Sequence, residues 1–222
     1  MPQPLPNKPF PAPDPEALVG NIKVTREDWL NVAMDLLISE GVSEVKVLTI
    51  GTRLGVSRSS FYWYFKSRQD LLDQLLAAWR RTNTDIVLRY CAMPAETITE
   101  AVANLFRAFV HPLGFNHRLD FAVREWARRD GSVRRVIDRD DAKRTAAIAG
   151  LFERHGYRPT EAEIRARVLY YMQIGYYALD LAETQEERLA NLGGYLFAFT
   201  GIQPRAAELA AFAEYLNKAD LL

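Results

Sequence analysis

The chain has 222 residues, with 28 Lys+Arg against 28 Asp+Glu, 49% apolar residues and a single cysteine. Such a length and apolar content suit two unequal folded domains. They argue against a polyanion binder that is basic all over, against a disulfide-stapled secreted module and, because charges interrupt every apolar stretch, against a membrane span. No charged segment followed by an apolar one opens the chain, so the expected compartment is the reducing cytoplasm.

In chain order, the first fifteen residues hold seven prolines, Pro2 to Pro15. Proline fixes φ and removes a donor, which predicts a disordered or polyproline-II arm over residues 1–20. Leu30, Ala33, Met34 and Leu37 then recur at helical spacing. With Thr25 as cap, Asp28 three residues on and Gly41 as stop, they predict a helix over 26–40. Short helices follow over 47–54 and 57–65. Ser67 and Asp70 open a rod without a breaker until Pro94, about 37 Å long at 1.5 Å per residue. Six further helices are predicted at about 95–110, 119–129, 133–153, 161–181, 185–199 and 205–217. No stretch alternates with period two, so the fold class is all-α: a head over 21–68 joined by a long helix to a helical body over 69–222.

Residues 47–66, VLTIGTRLGVSRSSFYWYFK, have the spacing of a helix-turn-helix. Gly51 suits a close helix crossing and Gly55 a turn with positive φ, with Ile50, Leu54, Val56 and Phe61 facing inward. From Thr52 to Arg68 there are four basic residues (Arg53, Arg58, Lys66, Arg68) and no acid, a local patch fit for phosphates. The run Phe61 to Phe65 is wholly aromatic. Phe61 and Phe65, four apart, face the core, leaving Ser59, Tyr62 and Trp63 on another side for phosphates and thymine methyls. Arg58 sits at the helix start, where recognition helices meet base edges.

The segment GVSRSSFYWYFKSRQDLL resembles the signature of TetR-family transcriptional repressors, and the resemblance spans about residues 25–76. It implies that 47–54 is the supporting helix and 57–65 the recognition helix. It also implies that Tyr62, Trp63 and Tyr64 contact DNA backbone and bases, and that Lys66 and Arg68 meet phosphate. The expected DNA-binding set is Lys46, Thr49, Arg58, Ser59, Ser60, Tyr62, Trp63, Tyr64, Lys66 and Arg68. The chain departs from the family's usual Gly-Thr or Pro-Thr at Ser59-Ser60 and from its usual histidine at Tyr64, so its operator is its own. The resemblance implies a homodimer on a palindromic operator, released by a small-molecule effector that shifts the rod and with it the spacing of two heads on half-sites roughly 34 Å apart.

In the body, Val168, Tyr171, Met172, Gly175 and Leu179 with Leu189, Leu192 and Leu196 are the dimer-interface candidates, two helices per protomer forming a four-helix bundle. Phe106, Phe109, Phe121, Trp126, Tyr170 and Tyr177 are the effector-site candidates. The arginine-rich stretch 120–139 reads as a solvated, ion-paired face, with an inward Arg124 clamping an anion as the alternative. His111, His117, His155 and Cys91 have no nucleophile or metal partner at a recognisable spacing, so no enzyme, metal or cofactor is expected. The competing reading is a helical small-molecule-binding or adaptor protein, or an enzyme, without sequence-specific DNA binding.

Overall fold

The computed structural model describes residues 24–219 apart from 112, 113, 180 and 182, so the proline-rich arm lies outside the described residues. All regular structure among them is helical. Helix α1 (Arg26–Glu40) begins at Thr25, whose Oγ1 accepts from the Asp28 N–H at 3.2 Å while the Asp28 carboxylate accepts from the Thr25 N–H at 2.7 Å. The exchange satisfies N–H groups that a first turn leaves without partners in the helix. Helices α2 (Val47–Leu54) and α3 (Arg58–Phe61) meet through Gly55, in the left-handed region at φ 67° and ψ 27°. A Cβ on Gly51 would stand 3.2 Å from the Val56 carbonyl and 3.5 Å from the Trp29 ring, so the α1–α2 crossing is set by the missing side chain. Trp29 packs edge-on against Phe61 at 5.3 Å, and Phe61 stacks on Phe65 at 5.0 Å.

The recognition element is shorter as an α-helix than the predicted 57–65. After Phe61 the chain keeps turning through bonds from Tyr62, Trp63 and Tyr64 N–H to the carbonyls of Ser59, Ser60 and Phe61. These tighter i to i+3 bonds wind the chain more steeply and carry it toward the rod.

Ser67 Oγ accepts from the Asp70 N–H at 3.1 Å and starts the rod. The rod is α4 (Arg68–Trp79), a π-helical segment (Arg80–Thr84) and α5 (Asp85–Cys91). The expected continuous helix is thus interrupted by a wider turn, which directs Asn83 and Thr84, both buried, toward the body. The body comprises α6 (Ile98–Val110), α7 (His117–Ala127), α8 (Gly131–Arg154), α9 (Pro159–Ala178), α10 (Gln185–Thr200) and α11 (Ala206–Ala219). Thr97, Asn116, Asp130 and Thr184 cap four of them through their side chains, which moves α6 to a later start than expected and α7 and α8 to earlier ones.

Two apolar cores result. One gathers Phe106, Phe152, Leu169, Leu196 and Phe212 from the body. The other joins Trp29, Ile50, Phe61 and Leu75 of the head and rod to Leu119, Val123 and Trp126 of α7 and Val133 and Ile137 of α8. The head is therefore seated on α7 and the first turns of α8 through a shared core.

Candidate nucleic-acid interface and ligand cavity

The α3 region divides its side chains sharply between core and solvent. Phe61 and Phe65 are buried, whereas Trp63 is 80% and Tyr62 52% exposed. A tryptophan left this bare in water has no packing role, and its neighbours Arg58 and Ser59 are exposed too. The Arg58 guanidinium lies 3.3 Å from the Tyr62 hydroxyl, one turn along, so a cation, a phenol and an indole stand together. Arg53 of the patch and Lys46 ahead of it are ion-paired, with Glu40 and Glu44 respectively, whereas Arg58 and Lys66 form no ion pair among the described residues. Thr49 is half-buried on α2, and the preceding Leu48, absent from the expected set, is 70% exposed.

Three expected DNA contacts are engaged elsewhere. Arg68 Nε and Nη2 donate to the carbonyls of Val45 and Val42, both at 2.6 Å, clamping the start of the rod to the chain between α1 and α2. Tyr64, half-buried, donates its hydroxyl to the Val24 carbonyl at 2.8 Å and so fixes the lead-in to α1. Ser60 Oγ donates to the Ser57 carbonyl at 2.7 Å. These bonds tie the three side chains to the head; Arg68 is itself exposed, as are Lys46, Arg58, Ser59, Tyr62, Trp63 and Lys66 of the expected set.

In the body, α6, α9, α10 and α11 line a cavity of about 90 Å³ that opens to solvent. Phe106, Phe109 and Tyr177, three of the effector-site candidates, line it with Val110, Gln173, Tyr176, Glu183, Arg188, Tyr195 and Phe212. Met172 and Leu192, expected at a dimer interface, also line it. The adjacent tyrosines at 176 and 177 were the available signal for this wall. Tyr177 donates to the Phe109 carbonyl at 3.1 Å and stacks on His117 at 4.6 Å, its ring 7° from parallel. Burial pushes its hydroxyl pKa up.

The other expected cavity residues lie elsewhere. Trp126 belongs to the head core, and Phe121 is half-buried on α7 outside the cavity wall. Arg124 and Tyr170 sit in a buried polar network between the two cores, so the reading of 120–139 as a solvated face fails at its first residue. Asp120 is 0% exposed; its Oδ1 accepts from Trp79 Nε1 (2.8 Å), Arg144 Nη1 (3.1 Å) and Asn83 Nδ2 (3.3 Å), and its Oδ2 from Arg124 Nε (2.7 Å). Arg124 grips Asp141 with both Nη atoms, at 2.9 and 2.8 Å, which leaves it no fork for a bound anion. Arg144, also 0% exposed, reaches Thr84 and the Tyr170 hydroxyl and lies over the rings of Trp79 (4.9 Å) and Phe115 (5.3 Å). Burial alone would push the Asp120 carboxyl up; Arg144 and Arg124 outweigh it and hold the pKa below the usual carboxylate range. In the π segment, Arg80 Nε stands 3.1 Å from the buried Asp140 carboxylate. The network thus ties the rod to α7, α8 and α9, and Phe115, stacked parallel to Tyr177 at 6.0 Å, brings it next to the cavity wall.

One side of α9 is bare. Val168 and Tyr171 are each 55% exposed and Leu179 72%, with Ile164 in line with them and Phe197 exposed on α10; Gly175 has open space where a side chain would be. Leu192 and Leu196 are buried in the body core and Leu189 packs against it, so the α10 part of the expected interface points inward. Cys91 is buried, and burial pushes its thiol up to about 12. Among the described residues no group of three or more His, Cys, Asp or Glu is placed to hold a metal ion, and no helix is long and apolar enough to cross a membrane.

An exposed reading surface on a three-helix head, seated on a helical body with its own core, defines an all-α helix-turn-helix protein. Residues 30–75 match the family described as "Bacterial regulatory proteins, tetR family". The match lies in the head and the start of the rod, which are similar to that family's. Over 62 residues it is 34% identical to the HTH-type transcriptional regulator AcrR of Shigella flexneri, and over 61 residues 34% identical to the tetracycline repressor protein class C of Escherichia coli. Each match takes in 28% of this chain and little over a quarter of the relative, 27% and 28% respectively. The whole fold is similar to a TerR/AcrR-family transcriptional regulator from Aquifex aeolicus (TM-score 0.56, 16% identity, 80% of this chain and 96% of that one). It is also similar to AmtR of Mycobacterium smegmatis (TM-score 0.55, 20% identity, 89% and 96%).

Proposed function

We propose that this protein is a cytoplasmic, ligand-responsive transcriptional regulator, a repressor that binds a palindromic operator as a homodimer and releases it when a small molecule enters the body. The observation that carries this reading is the exposed group Arg58, Ser59, Tyr62 and Trp63 on the second element of a helix-turn-helix. Arg58 supplies the donors that read guanine, and the aromatic edges supply apolar contact to thymine methyls. A relative that bears the name repressor, matched over 61 residues, supports the direction of control. The bare α9 stripe supports the dimer, since a large apolar face of this kind is stable in water when a second copy covers it.

The body's geometry supports release by an effector. The cavity, at about 90 Å³, is smaller than the roughly 300–1,000 Å³ of a typical drug-sized site. An effector must therefore displace a wall, and the Tyr177 wall bears on His117 in the first turn of α7, the helix on which the head sits. A ligand that favours the displaced arrangement shifts the head by as much as its affinities for the two arrangements differ. Selection of random double-stranded DNA by the purified protein at ~100 mM salt, where phosphate contacts still hold, tests the reading. An enriched inverted repeat is expected; a pool without any enriched sequence overturns it.

A further inference from the structure

We infer that the cavity between α6, α9, α10 and α11 is built for an uncharged, single-ring aromatic molecule. This deepens the effector reading above and rests on it. Aromatic side chains, Phe106, Phe109, Tyr176, Tyr177, Tyr195 and Phe212, make half of the wall, and stacked or edge-on rings are their natural occupants. Size limits the occupant further. An apolar cavity of about 150 Å³ accepts benzene, so a space of about 90 Å³ holds one ring with slight displacement of the wall and excludes fused-ring systems without a larger one.

Charge is decided at the mouth, where Arg188 is exposed and Glu183 half-buried. Both are tied to one phenol: Tyr176 donates its hydroxyl to Glu183 Oε2 at 2.9 Å and accepts from Arg188 Nε at 3.2 Å. The guanidinium also lies over the Tyr176 ring at 5.7 Å. The pair cancels, so neither an anion nor a cation gains a counter-charge inside, while either loses its hydration on entry. Tyr177's hydroxyl is spent on the Phe109 carbonyl and is also held by the Gln173 side chain, so only the part of the buried Gln173 amide not engaged with Tyr177 is left to orient a ligand carrying one donor or acceptor.

The test is calorimetric titration of the full chain, without DNA, with three probes of nearly equal size at neutral pH: benzyl alcohol, benzoate and benzylammonium. Benzyl alcohol is expected to bind, and the two ions about tenfold or more weaker. Glu183→Gln leaves Arg188 unbalanced and should narrow the gap for benzoate alone; Arg188→Gln should narrow it for benzylammonium alone. Met172→Trp, which fills the space, should abolish binding while circular dichroism stays unchanged. If Met172→Trp unfolds, the two mouth variants still decide. The inference is overturned if an ion binds wild type as well as benzyl alcohol does, if none of the probes binds, or if the mouth variants leave the order and gaps unchanged. Since DNA is absent, failure of operator recognition would not affect any of these outcomes.

Discussion

Replacing Asp120 with asparagine changes one atom and removes one charge from the network that joins rod to body. In the native protein Arg124 and Arg144 are balanced by Asp120 and Asp141. The variant leaves two cations facing one carboxylate, and Arg144 has no solvent to turn to at 0% exposure. Asparagine's oxygen can still accept from Trp79 and Asn83, but its amide meets the Arg124 donor now at 2.7 Å from Asp120 Oδ2. Breaking a buried pair by removing one partner costs about 3–5 kcal/mol. For a chain of this size that is a fall in Tm of about 6–20 °C. Thermal and urea unfolding followed by tryptophan fluorescence, at fixed protein concentration, measures it. A loss below about 1 kcal/mol would refute the argument, because an uncompensated buried cation cannot be that cheap. Asp120→Asn with Arg144→Met removes both charges and should recover part of the loss, a non-additivity of about 0.5–3 kcal/mol. The pH dependence has a definite sign. With its folded pKa depressed, Asp120 contributes stability fully above the unfolded value of about 3.9, and that contribution is lost as pH falls through the folded value. Acidification below about pH 4 should therefore narrow the gap between wild type and Asp120→Asn.

The remaining expectations concern the head and the bare face. Lys66→Ala should flatten the salt dependence of DNA binding by about 0.9 in log–log slope per protomer, as loss of one phosphate contact requires. Arg68→Ala should leave that slope alone and instead lower stability by about 1–2 kcal/mol, through the two carbonyl bonds it makes within the head; a changed slope would return Arg68 to the DNA surface. Arg58→Ala and Trp63→Ala should each cost about 1–3 kcal/mol of discrimination between operator and random DNA in competition retardation assays, with unchanged circular dichroism. Wild type is expected to sediment as a dimer and Val168→Glu as a monomer at the same concentration, and a variant that still sediments as a dimer would place the interface elsewhere.

What local chemistry decides was legible in the sequence. Thr25 with Asp28, Ser67 with Asp70, and Gly55 are capping and turn devices whose partners lie within a few residues, and all three act as expected. The outward Tyr62 and Trp63 followed from placing Phe61 and Phe65 inward. The distant partners of side chains were not legible. Arg68 and Tyr64 bond to carbonyls 23 and 40 residues away, and nothing in a sequence marks a carbonyl as waiting for a donor. Asp120 has the spacing of a surface pair with Arg124, but Arg144, 24 residues on, takes it into the interior. Helix α9 carries apolar residues on both sides, Leu169 and Tyr170 within and Val168 and Tyr171 without, so periodicity could not say which side meets solvent. On α10 the same ambiguity put Leu192 and Leu196 outside and overlooked Phe197.

Phase is what the π segment of the rod controls. A turn of this kind is an α-helix that has taken in one residue without breaking, and the helix on either side is displaced in rotation by about 100°, the step of a single residue. Deleting one residue within 80–84 would allow an unbroken α-helix from Arg68 to Cys91. It would also swing everything before it through that angle against everything after it. Trp79 would leave Asp120, and the head's apolar underside would turn away from Val123 and Trp126 of α7. The wider turn thus works as a timing mark between two gears: its length in residues, more than the chemistry of any one of them, sets which way the exposed face of the head points relative to the body cavity.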